Sequence, residues 1–145
     1  MEKRLGTITL GVNDLARARR FYEEGLGWSR DGGEDDIAFY QLGGIVLGLY
    51  ERPKLARDAG VADDGAGFRA VTIAYCARSR EEVDRVLEAA QRAGGALRVQ
   101  ARDTFWGGYA GYFADPDEHL WEVAYNPHLT ITDRGEHLMK SLERR

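Results

Sequence analysis

The chain has 145 residues and a mass of 16.2 kDa, and 43% of its residues are hydrophobic, which is enough for one ordinary core. Its 20 basic and 24 acidic side chains give a net charge of −4, and this balance argues against a general nucleic-acid binder, which needs clustered Lys and Arg. No apolar run approaches the roughly 20 residues of a membrane-spanning helix, and no secretory signal is recognisable at the N-terminus. A single cysteine excludes an internal disulfide. We therefore expect a soluble, cytoplasmic, single-domain protein.

The first half of the chain begins with a strand pattern and continues into a helix. In residues 7–12 small or polar residues alternate with apolar ones, which is the period of a half-buried strand. Asn13 or Asp14 can cap the helix that follows, and a Gly-Leu-Gly triplet stops it. Two further apolar segments, 37–42 and 45–50, are separated by two glycines and are typical of strands.

The second half of the chain repeats this order of elements. Residues 70–75 alternate as residues of a half-buried strand do, and Ser79 opens a capping box for a helix that ends at a double glycine. Strand-like segments follow at 97–100, 109–114 and 119–124. We interpret each half as a β-α-β-β-β unit, so the chain is predicted to be an α+β protein made of two tandem modules.

The duplication sets the correspondence between the halves. A proline closes each unit, Pro53 in the first and Pro127 in the second, and counting back from these prolines places Gly48 opposite Glu122. The predicted organisation within the single domain 1–145 is module one at 4–53, a linker at 54–69, module two at 70–128 and a short amphipathic tail helix at 133–145.

Two motifs of the duplicated chain resemble the vicinal oxygen chelate superfamily. The first runs from T-x-T-L-G-V at residue 7 to G-L-G-W at 25–28, and the second is G-Y-F-A-D-P-D-x-H-L-W-E-V-A-Y-N-P over 111–127. That superfamily includes glyoxalase I, bleomycin resistance proteins and extradiol dioxygenases, and the resemblance covers residues 4–128. It implies a curled mixed sheet around a concave cavity, completed by two modules that come from one chain or are exchanged between two chains.

The resemblance also implies where a metal ion would bind. Members of the superfamily hold it with four side chains, usually His and Glu, from the first and last strands of each module. The corresponding residues here are Thr7, Gly48, Thr72 and Glu122. Only Glu122 is a competent ligand, whereas a divalent ion needs three or four strong donors at about 2 Å. We therefore expect no cofactor, with a divalent metal as the alternative, and interpret the three histidines as exposed or structural (His119, His128 and His137).

Strand alternation predicts which residues face the cavity that the resemblance implies. Most are small or apolar, with a few hydroxyl groups and one carboxylate, which suits a compact aromatic or polycyclic ligand. The predicted lining residues are Thr7, Thr9, Val46, Gly48, Tyr50, Thr72, Ala74, Leu120, Glu122 and Ala124. Trp106 lies in a glycine-flanked stretch, which we interpret either as a lid that hinges over the pocket or as ordinary loop packing.

Two functions stay open on the sequence alone. In the first, a homodimer binds a small, largely apolar molecule without a metal ion, in a sequestration or resistance role. In the second, the chain is a lyase, isomerase or dioxygenase-like enzyme in which Glu122 is the general base or a residual metal ligand. For Glu122 there is also a purely structural interpretation, in which its carboxylate hydrogen-bonds to nearby threonines. The small-molecule ligand and a second copy are the expected partners, with no nucleic acid and no membrane.

Overall fold

A computed structural model describes residues 6–69 and 71–139 of the chain. Within these residues the elements, in chain order, are β1 (Thr7–Val12), α1 (Leu15–Arg19) continuing into a π-helical segment (Arg20–Gly25), β2 (Gly32–Glu34), β3 (Ile37–Leu42), β4 (Ile45–Glu51), α2 (Arg52–Asp58), β5 (Ile73–Ala77), α3 (Arg80–Arg92), β6 (Ala96–Asp103), β7 (Tyr109–Ala114), β8 (Leu120–Tyr125), β9 (Leu129–Ile131) and β10 (His137–Met139). No helix in this part of the chain is long and apolar enough to cross a lipid bilayer.

The strands form two open four-stranded sheets of the same topology. Their orders are β1-β4-β3-β2 and β5-β8-β7-β6, and β9 pairs with β10 in a separate hairpin. In each sheet the first strand lies parallel to the last strand of its module, and the other pairs are antiparallel. The predicted α+β architecture of two βαβββ modules is therefore confirmed. The short strand β2 completes the first module, although its Gly-Gly-Glu sequence carries no strand signal.

The two module helices begin and end where their capping residues predict. The Asp14 carboxylate accepts the backbone N–H of Arg17 at 2.9 Å, and the Ser79 hydroxyl accepts that of Glu82 at 3.2 Å. Gly94, which follows the C-terminal end of α3, has a φ of 102°, a conformation that glycine adopts without steric cost.

Two expectations about local structure differ from the fold. The strand expected at 70–75 is β5, which begins at Ile73 and extends to Ala77, since its pairing with β8 rather than its own alternation sets its ends. The tail expected to be a helix from residue 133 instead contains β10, and residues 140–145 lie outside the described part. The Thr132 hydroxyl accepts the N–H of Glu136 at 3.0 Å, which closes a turn and pairs β10 with β9. The spacing of apolar residues in a short tail does not reveal a strand partner earlier in the chain.

The bulky faces of both sheets bury against the helices and meet in one shared core. Phe21 and Tyr22, from the π-helical segment, contact the second module, with ring centroids 6.2 Å from Phe113 and 6.1 Å from Trp121 respectively. Trp28 reaches the same ring of Trp121 at 6.0 Å. The two modules therefore pack through their helix-bearing sides, and Trp121 is buried in this core.

A buried polar network crosses the same contact between the modules. The Tyr22 hydroxyl donates to the Asp115 carboxylate at 2.6 Å and accepts the indole N–H of Trp121 at 3.1 Å. Asp117, two residues on, accepts the backbone N–H of Asn13 at 2.9 Å. Burial is the main cause that raises the pKa of both Tyr22 and Asp115. The phenol therefore stays protonated, so that it can donate to the carboxylate across the contact.

We predict that Tyr22→Phe lowers the free energy of unfolding by about 2–3 kcal/mol, because it removes a hydrogen bond to a buried carboxylate and leaves the indole N–H of Trp121 without its acceptor. Urea denaturation of the wild type and the variant measures the loss. Tyr109→Phe is the matched control, since its hydroxyl donates to Asp84 at an exposed site, and it should cost about 0.5 kcal/mol or less. Equal losses in the two variants would contradict this account.

Candidate functional site

Glu122 and Gly48 occupy equivalent places at the centres of the two sheets, as the count from the prolines predicts. Glu122 on β8 lies between Ala74 of β5 and Tyr112 of β7. Gly48 on β4 lies between Thr9 and Phe39 in the same way. Both positions belong to the sheet faces that point away from the shared core. We call these the concave faces, after the cavity that the sequence resemblance implies.

The carboxylate of Glu122 lies half-buried between a phenol and a thiol. Burial, followed by the interaction with the Glu122 carboxylate, raises the pKa of the Tyr112 phenol. Burial and the charge of Glu122 likewise raise the pKa of the Cys76 thiol. Both neighbours, the phenol and the thiol, therefore keep their protons at neutral pH.

The space beside Gly48 is occupied by an aromatic ring. A Cβ at position 48 would lie 3.2 Å from both the Phe39 ring and the Thr9 hydroxyl oxygen, which is closer than ordinary van der Waals contact. A metal-binding side chain at this position would have to displace the ring. At the centre of its sheet, the first module therefore has the Phe39 ring beside Gly48, whereas the second module has the Glu122 side chain at the equivalent place.

The residues at the family's metal positions do not fit a divalent ion. The strand ladders pair Gly48 with Thr9 and Glu122 with Ala74, so the side-by-side positions lie two residues beyond Thr7 and Thr72. Thr72 is the residue that the resemblance implies, and Ala74 is the residue that the ladder places beside Glu122. Neither is a second strong metal ligand. Across residues 6–69 and 71–139 no group of three His, Cys, Asp or Glu side chains could hold an ion.

The structure divides the predicted lining residues between two separate faces. The face of module one carries Thr7, Thr9, Val46, Gly48 and Tyr50, and that of module two carries Ala74, Leu120, Glu122 and Ala124. Both faces lie on the far side of their sheets from the shared core, so one chain does not bring them together around a common space. Thr72 precedes β5 and is exposed, because β5 begins one residue later.

Trp106 lies in the turn between β6 and β7, and that turn is held closed by hydrogen bonds. The Thr104 N–H donates to Gly108 O at 3.0 Å, the Gly107 N–H donates to Thr104 O at 3.1 Å, and the Gly108 N–H donates to the Thr104 hydroxyl at 3.0 Å. The Trp106 ring packs directly on Gly108, where a Cβ would lie 1.7 Å from it. Gly108 therefore permits the packing of the indole, which favours the loop-packing interpretation over a hinged lid.

The three histidines have different surroundings. A ring nitrogen of His119 lies 2.7 Å from the carbonyl oxygen of Gly11, a contact that links the second module to β1. His128 is exposed after Pro127. His137 on β10 has its Nδ1 3.4 Å from Sγ of Cys76.

The sequence analysis used Cys76 only to exclude an internal disulfide, and it missed the surroundings of this thiol. Cys76 shares the face of Ala74, and the alternation of β5 could have revealed this. The contact with His137 could not be foreseen, because it depends on the C-terminal hairpin folding back over the end of β5. A cavity of about 260 Å³ lies there, and a second of about 420 Å³ is lined by other residues, among them Arg17 and Arg20.

The paired βαβββ modules define the fold class, and the sequence places the chain in one family. The chain belongs to the Glyoxalase/Bleomycin resistance protein/Dioxygenase superfamily, whose family model matches residues 4–123. The resemblance carried by the two sequence motifs is therefore confirmed. A search of curated proteins finds no match.

Solved structures agree with this assignment. A glyoxalase-related enzyme from Fulvimarina pelagi is 36% identical over 97% of this chain and 100% of its own, with a TM-score of 0.88. A hypothetical protein from S. aureus, SA1046, is 23% identical over 87% of this chain and 95% of its own, with a TM-score of 0.75. A lactoylglutathione lyase from Agrobacterium tumefaciens is 20% identical over 87% of this chain and 96% of its own, with a TM-score of 0.66. The last two likenesses show the fold.

We predict that Glu122→Gln lowers the pKa of the Cys76 thiol, because it removes the negative charge that disfavours the thiolate. Burial remains, so the pKa stays above that of an exposed cysteine. The ultraviolet absorbance of the thiolate, followed against pH, measures the change directly, since Cys76 is the single cysteine of the chain. Glu118→Gln, at an exposed turn where Glu118 pairs with Arg98, should leave the titration where it is. An unchanged titration in Glu122→Gln would show that the two groups do not interact.

Proposed function

We propose that this protein binds a small, largely apolar molecule on its concave faces without a metal ion, in a sequestration or resistance role. The observation that carries the proposal is the composition of these faces. Glu122 lies among alanines and aromatic side chains, and the positions that would complete a metal site hold threonine, alanine and glycine. Such a lining provides contact area for an apolar ligand and one charged group to orient it.

The same packing supports a homodimer as the functional unit. In one chain the two concave faces point away from the shared core, and β1 and β5 each lie at an open sheet edge. A second copy, placed with its first module facing the second module of its partner, would enclose a ligand between Phe39 of one chain and Glu122 of the other. We propose this pairing of modules between two chains because a symmetric dimer then forms two equal sites.

The charge of the face favours a neutral or cationic ligand. Glu122 is a carboxylate, and the two groups beside it, Tyr112 and Cys76, hold their protons. An anionic molecule placed here would meet the Glu122 charge at low effective dielectric, which is costly. An aromatic amine or a neutral ring system meets no such penalty.

An enzymatic role for Glu122 is the second candidate, and its position beside Tyr112 favours it. A half-buried carboxylate next to a protonated phenol can take a proton from a bound carbon acid, while the phenol donates to the oxygen that becomes negative. This would suit an isomerase or lyase. Incubating a bound carbonyl compound in heavy water and following deuterium incorporation by mass spectrometry separates this role from binding alone, since Glu122→Gln would abolish exchange only if Glu122 is the base.

We predict that the protein binds the neutral fluorescent amine N-phenyl-1-naphthylamine saturably, and that Ala74→Trp weakens this binding about tenfold or more. Ala74 is an exposed neighbour of Glu122, so an indole there fills the concave face of module two without entering the core. Fluorescence titration measures the dissociation constants. Ala16→Trp, an equal change at an exposed position of α1, should bind as the wild type does.

Absence of saturable binding, or equal losses in the two tryptophan variants, would overturn the proposed site. The titration is repeated in EDTA, and an unchanged dissociation constant is expected. A large loss in EDTA would overturn the metal-free mode of binding and leave the site itself in place.

We also predict that sedimentation equilibrium gives twice the 16.2 kDa mass of the chain. The concave faces bury against the partner in the proposed dimer, so Ala74→Trp should shift the equilibrium towards the monomer while Ala16→Trp does not. If the wild type is monomeric at micromolar concentration, the proposed pairing of modules between two chains is contradicted.

A further inference from the structure

A thiol–imidazole pair lies at the edge of module two, where the C-terminal hairpin meets β5. Sγ of Cys76 lies 3.4 Å from Nδ1 of His137. When the imidazole proton is on Nε2, Nδ1 can accept the thiol proton. The pair joins two segments that are 61 residues apart in the chain, so it exists only in the folded protein.

The hairpin is anchored over this end of the sheet by Arg78. The guanidinium of Arg78 donates to the carbonyl oxygens of Ile131 at 3.1 Å and Thr132 at 2.7 Å. These two bonds hold the turn that precedes β10 and thereby keep His137 within reach of the thiol.

A cavity opens beside the pair. Its volume is about 260 Å³, and its lining includes Cys76, Arg78, Tyr125, Asn126, Leu129 and His137. This is slightly below the range of about 300–1,000 Å³ that is typical of sites for drug-sized ligands, so the space suits a small molecule. The half-buried thiol borders the cavity, and the amide of Asn126 offers a hydrogen-bond donor within it.

The thiol needs a base before it can react. Burial and the charge of Glu122 raise its pKa, so at neutral pH the sulfur carries its proton. The thiolate is the nucleophile, and a proton acceptor in contact with the thiol can generate it at the moment of attack. His137 is that acceptor, since its Nδ1 is in contact with the sulfur.

We propose that Cys76 and His137 form a covalent capture site for small α,β-unsaturated carbonyl compounds. His137 Nδ1 takes the thiol proton while the sulfur forms a bond to the β-carbon, and the electron pair of the carbon–carbon double bond moves towards the carbonyl oxygen as an enolate. The imidazolium then returns the proton to the α-carbon. The product is a saturated thioether, and no oxidant or further reactant is needed.

The remaining cavity groups suit this class of molecule. A carbonyl oxygen that becomes negative during the addition requires a donor, and Asn126 lines the cavity together with Arg78. A soft, polarisable sulfur adds to the soft β-carbon of such compounds in preference to harder electrophiles. This site uses the edge of module two and the C-terminal hairpin, and it adjoins the concave face of module two at Cys76.

The test is the rate at which methyl vinyl ketone modifies the protein, followed by intact mass. One adduct per chain is expected for the wild type and none for Cys76→Ser, since Cys76 is the single cysteine. His137→Gln should slow the reaction about tenfold or more, a threshold set below the roughly 10²–10⁴-fold that a general base typically contributes. His128→Gln, an equal change at an exposed histidine outside the cavity, should react at the wild-type rate.

A second reagent separates loss of the base from loosening of the hairpin. N-(1-pyrenyl)maleimide is too large for the cavity, so loosening the hairpin in His137→Gln would accelerate its reaction, whereas loss of the base alone would not. The proposal is supported if His137→Gln slows methyl vinyl ketone and does not accelerate the bulky reagent. It is overturned if His137→Gln reacts with methyl vinyl ketone at the wild-type rate or faster, or if the wild type forms no adduct.

Discussion

The contact between the π-helical segment of module one and the Trp121 side of module two is the interaction on which the rest of the structure depends. Each module has only about 60 residues, a size at which a single core is marginal. Tyr22 and Trp121 put both modules into one core, and the hydrogen bond from Tyr22 to Asp115 requires the two modules to meet in one orientation. Because the helix-bearing sides are used for this contact, both concave faces lie outside the shared core.

The two modules share a topology but carry different chemistry at equivalent places. Gly48 and Glu122 lie at equivalent positions of the two sheets. The Phe39 ring occupies the space beside Gly48, whereas Glu122 places a carboxylate between Tyr112 and Cys76. The equivalent places of the two sheets therefore hold a glycine and a single carboxylate, a donor set that does not suit a metal ion. Charged and nucleophilic groups gather on module two, where the concave face and the cavity beside His137 adjoin each other across Cys76.

Most of the fold could be predicted from the sequence because its signals are local and occur twice. Alternation in residues 7–12 and the Ser79 capping box each mark an element within a few residues of its observed ends. The ends of β5 and the strand β10 were not predictable, since both depend on partners far along the chain. For the candidate site, counting from Pro53 and Pro127 matches Gly48 with Glu122, and only the ladders show that Thr9 and Ala74 lie beside them.

The sequence by itself determined the duplicated βαβββ order and the family, because short-range periodicity and residue identity carry both. Tertiary structure alone decided that each concave face lies on the far side of its sheet from the shared core, that the Phe39 ring lies beside Gly48, and that His137 reaches Cys76. These contacts join segments separated by many residues, and their geometry arises only when both modules bury their helix-bearing sides in the same core.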